Sequence, residues 1–410
     1  MSDYYEAFQA IHKELLESLD FTEEISDAEM LEKIDEFIVL KNKKLHLTLK
    51  EKERIRKDLF ASVRKLDILQ ELVDDTTVTE IMVNGTENIF IERAGKIGKW
   101  ERRFESKEKL SDVVQQIVAG CNRVVNEASP IVDARLTNGS RVNIVLSPIA
   151  LNGPIITIRR FPDKPITMEK LVEIGSLSKE AALFLQKLVK ARYNIFISGG
   201  TGSGKTTFLN ALSAYIPKDE RIITIEDNAE LQIQDVPNLV KLETRNANLE
   251  GCAAITIRDL IKSSLRMRPD RIIVGEVRGG EAIDMMQAYN SGHDGSMSTG
   301  HANGTKDMLS RLETMILMGM DLPLMAIKQQ IASGIDIIVH LGRLRDKTRK
   351  VLEIAEIDRF EDGKIHLHTL YKFEECEKLE MLQKDKVIGS LEKKGDLLHE
   401  EKLKMAGIAL

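Results

Sequence analysis

From the first residues to about position 65, apolar side chains recur every three or four positions among charged ones. Ile11, Leu15, Leu16 and Leu19 make one such stripe, and Met30, Leu31, Ile34 and Phe37 another. That spacing is the mark of amphipathic helices, so residues 1–65 are expected to form an N-terminal helical module. From Leu66 to Phe161 the pattern becomes mixed. Short β-type runs, Ile81-Met82-Val83, Ile89-Phe90-Ile91 and Ile155-Ile156-Thr157-Ile158, are separated by the turn signals Asn84-Gly85, Asn138-Gly139 and Asn152-Gly153-Pro154. Residues 66–161 therefore read as a small α+β domain. The closely spaced prolines of Phe161-Pro162-Asp163-Lys164-Pro165 discourage regular structure and predict a stiff linker over 162–166.

Beyond the linker, over residues 167–373, short apolar strands alternate with longer helical patterns. This is the signature of an α/β domain with a mainly parallel sheet. Its last strands are expected at Ile335–His340 and Arg349–Ile354, and residues 374–410 read as a charged tail, helical in part.

Composition narrows the classes. A chain of 410 residues can hold at least two cores, and 42% hydrophobic with 30% charged residues fits a globular protein. The net charge of -6 gives no whole-molecule attraction to nucleic acid or anionic lipid. Cys121, Cys252 and Cys376 lie far apart with no CxxC pair, which argues against a disulfide framework or structural zinc and suits a reducing cytosol. The polar, acidic N-terminus is not of signal-peptide type. No run approaches the ~18 apolar residues that span a bilayer, so membrane contact is expected only through partners.

The chemistry begins at Asn194-Ile195-Phe196-Ile197-Ser198, a buried-strand pattern that runs into Gly199, Gly200, Thr201, Gly202, Ser203, Gly204, Lys205, Thr206 and Thr207 and then the helical pattern Phe208-Leu209-Asn210-Ala211-Leu212. This is G-x-x-x-x-G-K-[ST] in the strand–loop–helix setting its mechanism needs. Glycines let backbone N–H groups turn toward phosphate, and the helix N-terminus adds a favourable dipole. Lys205 is placed to reach the β- and γ-phosphates, and the Thr206 hydroxyl to hold Mg²⁺.

Two further strands end in acids. Arg271-Ile272-Ile273-Val274-Gly275-Glu276 would deliver Glu276 to the Mg²⁺ site if it lies beside the loop strand. Ile222-Ile223-Thr224-Ile225 leads into Glu226-Asp227-Asn228-Ala229-Glu230. Hydrolysis of a nucleoside triphosphate calls for a carboxylate that polarises water, and position alone does not choose between Glu226 and Glu230. A third, glycine-rich stretch carries His293 and His301, two of only eight histidines. A neutral histidine there could sense the γ-phosphate; a zinc site lacks a third ligand nearby.

Taken in order, the loop, Glu-Asp-x-x-Glu, Gly-Glu-Val-Arg and Thr-Gly-His resemble the type II/IV secretion ATPase superfamily over roughly residues 66 to 372. The runs Leu265–Gly279 and Val132–Asn143 look closest to its CpaF/TadA branch, which assembles tight-adherence (Flp-type) pili. The resemblance implies a RecA-like ATPase domain preceded by a PAS-like α+β domain, ATP and Mg²⁺ as ligands, and a homohexameric ring. It implies an ATPase working in the cytoplasm on an inner-membrane platform protein. It assigns Glu276 to the Walker B position, Glu230 to water activation with Glu226 in support, and His301 to the histidine box. Arg141 and Arg160 match arginines that reach the phosphates, with Arg135 and Arg159 as weaker matches. The tetracysteine module usual in type II secretion members is absent from the sequence. The rival class is a RecA-like nucleic-acid translocase, disfavoured by one Trp and an acidic net charge.

Overall fold

The structure is a computed structural model that describes residues 2–19, 25–45, 47–93, 95–121, 124–160, 165–245, 253–375 and 387–410. Most of the expected linker, with Cys252 and Cys376, lies outside the described residues. The chain divides into two units, Met1–Asp163 and Lys164–Leu410.

In the first unit, α1 (Ser2–Ser18), α2 (Asp27–Leu45) and α3 (Leu49–Arg64) close around Ile11, Leu15, Ile34, Ile55 and Leu59. Thr48 and Glu51 form a capping box that starts α3. After α4 (Leu69–Asp74) come β1 (Val78–Asn84), β2 (Asn88–Arg93), β3 (Lys96–Lys99), α5 (Lys107–Ala119), β4 (Ile131–Arg135), β5 (Arg141–Val145) and β6 (Ile155–Arg159). The strands pair antiparallel in the order β3-β2-β1-β6-β5-β4. Their alternate residues Ile81, Val83, Val142, Ile144, Ile156 and Ile158 share a core with Leu110, Val113, Val114 and Ile117 of α5. The other set of alternate residues faces away. On it, register puts Arg135 opposite Arg141, and Arg141 opposite Arg159.

The second unit runs α6 (Met168–Glu173), α7 (Lys179–Lys190), β7 (Ile195–Gly199), α8 (Lys205–Ser213), β8 (Ile222–Glu226), β9 (Leu239–Glu243), α9 (Ile257–Ser264), β10 (Arg271–Val274), α10 (Ala282–Tyr289), β11 (Met297–Gly300), α11 (Thr305–Gly319) and α12 (Leu324–Gly334). It continues through β12 (Ile337–Arg343), β13 (Arg349–Glu361), β14 (Lys364–Glu375), β15 (Gly389–Lys393) and α13 (Glu401–Ala406). The sheet order is β15-β14-β13-β12-β7-β11-β10-β8-β9, parallel from β12 to β9 and antiparallel from β12 to β15. The unbroken apolar runs of β7, β8 and β10 follow from helices on both faces, because every side chain there meets a core. Helices α7 and α8 pack on one face and α9 to α12 on the other.

The expectation of a charged tail is corrected here. β13 does not end the sheet: it turns back as β14, and β15 adds to β14. Leu391, Leu397 and Leu403 are buried in the core that holds α7 and α8. Ser390 and Glu392 are the solvent side of that strand. Composition hid it, because a few leucines anchor a segment whose outer face is charged.

Candidate functional site

β7 ends at Gly199, and the chain turns through Gly200–Gly204 into α8, which begins at Lys205. The turn needs positive φ at Gly202 (69°) and Gly204 (96°), which glycine adopts without a Cβ penalty. Gly199 is required for a different reason: a Cβ there would lie 2.5 Å from the Leu341 carbonyl oxygen of β12. At Gly200 and Gly202 a Cβ would meet nothing within 4 Å. The loop is packed at its base and open at its rim.

Lys205 is buried, and its Nζ donates to the carbonyls of Gly199 and Gly200, each at 3.2 Å. It also lies 3.2 Å from His301 Nδ1. An ammonium has only protons to give, so Nδ1 accepts and the histidine proton sits on Nε2. That nitrogen lies 2.7 Å from Glu276 Oε1. His301 thus bridges the loop lysine to the acid that follows β10. Burial, and then the Lys205 charge, hold His301 below its ordinary pKa, in keeping with a neutral ring. Burial also lowers the Lys205 pKa, with Glu276 opposing. On the far side of Glu276, Arg278 Nε donates to Oε2 at 2.9 Å.

The acidic segment after β8 sorts into two positions. Glu226 is 3% exposed, and its Oε1 accepts the backbone N–H groups of Glu230 at 2.8 Å and Leu231 at 2.9 Å. Burial pushes its carboxyl up to about 7 against those hydrogen bonds. Gly275 is glycine because a Cβ would come within 2.8 Å of Glu226 Cγ. Glu230 is half-buried at the end of the segment Glu226 braces. Gln232 N donates to Asn210 Oδ1 at 2.9 Å, tying the segment to α8. Thr206 and Thr207 lie half-buried in the first turn of α8. Ser203 Oγ and Glu226 Oε2 are buried without a hydrogen-bond partner.

The structure therefore brings Lys205, His301, Glu276, Glu226 and Arg278 together. His293 is elsewhere, its Nδ1 3.1 Å from the Ala288 carbonyl at the end of α10. Of the arginines in the first unit, Arg135, Arg141 and Arg159 form one cross-strand row, with Arg141 3.9 Å from Asp133. Arg160 does not join them: its Nη1 donates to the Val73 carbonyl at 3.1 Å. Register, invisible without the strand pairing, decides which of these arginines share a face. Sequence reasoning quoted Arg278 within its motif but gave it no role. It passed over Arg349, whose Nε donates to the Gly202 carbonyl at 2.7 Å from a remote part of the chain.

A magnesium nucleotide fits these residues. Open space at Gly200 and Gly202, and a buried lysine bonded to carbonyls and a neutral histidine, leave room and a charge for phosphate. Among the described residues, no group of three or more His, Cys, Asp or Glu could hold a metal unaided. The hydroxyl of Thr206 and Glu276 could hold one together with phosphate oxygens. Among the described residues, no helix is long and apolar enough to cross a membrane.

Motif and setting define a phosphate-binding-loop α/β protein. The family model described as type II/IV secretion system protein matches residues 63–392, and this chain belongs to that family. The conjugal transfer protein TrbB of Rhizobium radiobacter is 34% identical over 322 residues, 76% of this chain and 95% of that one. The type IV secretion system protein VirB11 of Brucella suis is 34% identical over 303 residues, 67% of this chain and 84% of that one. The ATPase DotB of Legionella pneumophila shares the fold, with a TM-score of 0.51 at 20% identity over 71% of this chain and 80% of that one.

Proposed function

We propose that this chain is an ATPase motor that hydrolyses ATP to ADP and phosphate and powers assembly of a tight-adherence type pilus, or a related secretion step, as a homohexameric ring. In this reading the second unit is RecA-like, residues 66–161 are the PAS-like domain, and an inner-membrane platform protein takes up the work. The observation that carries it is the bridge Lys205–His301–Glu276 beneath an open glycine loop.

Lys205 and the amides of Gly200 to Thr207 would hold the phosphates, and Thr206 with Glu276 would hold Mg²⁺. The metal, when bound, neutralises charge on the phosphate oxygens. Glu230 takes a proton from water as its oxygen bonds to the γ-phosphorus and the bond to the bridging oxygen breaks, releasing ADP. Glu226 aims Glu230 by fixing the backbone N–H of that residue. His301, hydrogen-bonded to Lys205 and with Nε2 2.7 Å from Glu276, responds when phosphate draws the lysine away. Arg141 and Arg160 keep the charge-stabilising role that the resemblance gives them. Arg141 has the stronger support, standing in a row with Arg135 and Arg159.

Glu230→Gln removes the base and keeps the shape. MgATP should still bind by calorimetry while kcat falls by roughly 10²-fold or more. An inactive Glu226→Gln beside an active Glu230→Gln would reverse the two roles.

A further inference from the structure

We propose that Arg349 is a positioning residue of the phosphate-binding loop, strapping the Gly202 carbonyl to the segment Gly175–Ser176 behind the first helix of its unit. The inference rests on the nucleotide reading above and adds what holds the loop's shape.

Glycine-rich loops gain their shape from glycine and lose rigidity by the same cause. At Gly202, with φ of 69°, no side chain opposes a rotation of the following peptide. A trans peptide is planar, with its C=O and N–H on opposite sides. Holding the Gly202 carbonyl outward therefore aims the Ser203 N–H inward, where it now donates to the Gly200 carbonyl at 3.3 Å. Arg349 does the holding: its Nε donates to the Gly202 carbonyl at 2.7 Å. Its Cδ would lie 3.5 Å from a Cβ on Gly204, so the side chain covers the loop's flank as well. A guanidinium donor makes this hydrogen bond stronger than a neutral one.

A strap needs a fixed far end. The Arg349 carbonyl accepts from Ser176 Oγ at 2.9 Å, and Val351 N donates to the Ser176 carbonyl at 2.8 Å. Lys350 Nζ donates to the Gly175 carbonyl at 2.8 Å. Gly175 and Ser176 follow α6, whose Met168 and Leu171 are buried in the core. On its other side β13 pairs with β12, which pairs with β7 as far as Gly199. Arg349 is exposed, so its removal should cost the fold little.

The test uses the full chain with Arg349→Gln, Arg349→Lys and Ser176→Ala, reading steady-state ATPase, MgADP affinity and the apo melting temperature. Arg349→Gln should raise KM and weaken MgADP roughly five- to tenfold, the scale of one partly exposed charged hydrogen bond. Its kcat should stay within about twofold and its melting temperature unchanged. Arg349→Lys should recover part of the affinity, and Ser176→Ala, which loosens only the anchor, should cost about twofold. Unchanged KM and MgADP affinity in Arg349→Gln would overturn the proposal. So would a fall in kcat at constant KM, or affinity lost only in step with the melting temperature. A wild-type chain that neither binds MgADP nor hydrolyses ATP would instead sink the nucleotide reading itself.

Discussion

The two ends of the parallel strands in the second unit both gather charged and amide side chains, yet these are bonded in opposite ways. At the amino ends, Asn194 Oδ1 accepts from Gly295 N and Ser296 N, and its Nδ2 donates to the Gly334 carbonyl. Asp336 accepts from Asn194 N and from Lys402, which also reaches Asp294. Arg271, fully buried, is gripped by both oxygens of Glu220 and donates to the Val189 and Gly295 carbonyls. At the carboxyl ends, Ser203 Oγ, Glu226 Oε2 and Glu276 Oε1 are buried without hydrogen-bond partners, and the three acceptors around the buried ammonium of Lys205, two carbonyls and His301 Nδ1, bring no counter-charge. Buried polar groups normally find partners. A saturated cluster holds strands together; an unsaturated one beside an open loop is held ready for something else.

The contrast can be broken by mutation, first at the saturated end. Arg271→Ala strands Glu220 and should destabilise the chain by about 3–5 kcal/mol in denaturant unfolding, as loss of one partner of a buried ion pair does. Nucleotide affinity of the folded protein should hardly change. A mild stability loss with a large loss of affinity would merge the two ends and undo the comparison.

A smaller effect belongs to Glu226. Its carboxyl titrates near 7 in the fold because it is buried, while in the unfolded chain it ionises in the ordinary range. As pH rises from about 4.5 to 7 the unfolded state gives up this proton first, so the group's contribution to stability falls with rising pH. Glu226→Gln should therefore gain on the wild type by about 1–3 kcal/mol between pH 5 and 8, read from unfolding at each pH. A difference that is flat with pH would mean that this carboxyl is not desolvated.

Much of the unsaturated end was legible in the sequence. The loop motif and Glu276 each follow an apolar run, where chemistry restricts which residues can stand, while Glu230 and His301 were singled out from Glu226 and His293 only by the family resemblance. The saturated end gave no such signal. Asn194, Arg271 and Asp336 flank strands as any polar residue does, and only the strand order brings them together. The same reason hid the arginine row and Arg349, since register and hairpin pairing join residues far apart in the chain. The segment after residue 373 was misjudged because its charge outweighed three leucines whose burial decides where it goes.

Lys205 tests the central claim most directly, since it is buried and charged yet held for a ligand. The measurement is the melting temperature of wild type and Lys205→Ala, each with and without saturating MgADP. A ligand that binds only the folded state raises that temperature. The account predicts that MgADP stabilises the wild type and leaves Lys205→Ala unmoved, while the apo variant melts no lower than the apo wild type. An apo variant that melts well below the wild type and still responds to MgADP would contradict it, placing Lys205 with the structural ion pairs at the other end of the sheet.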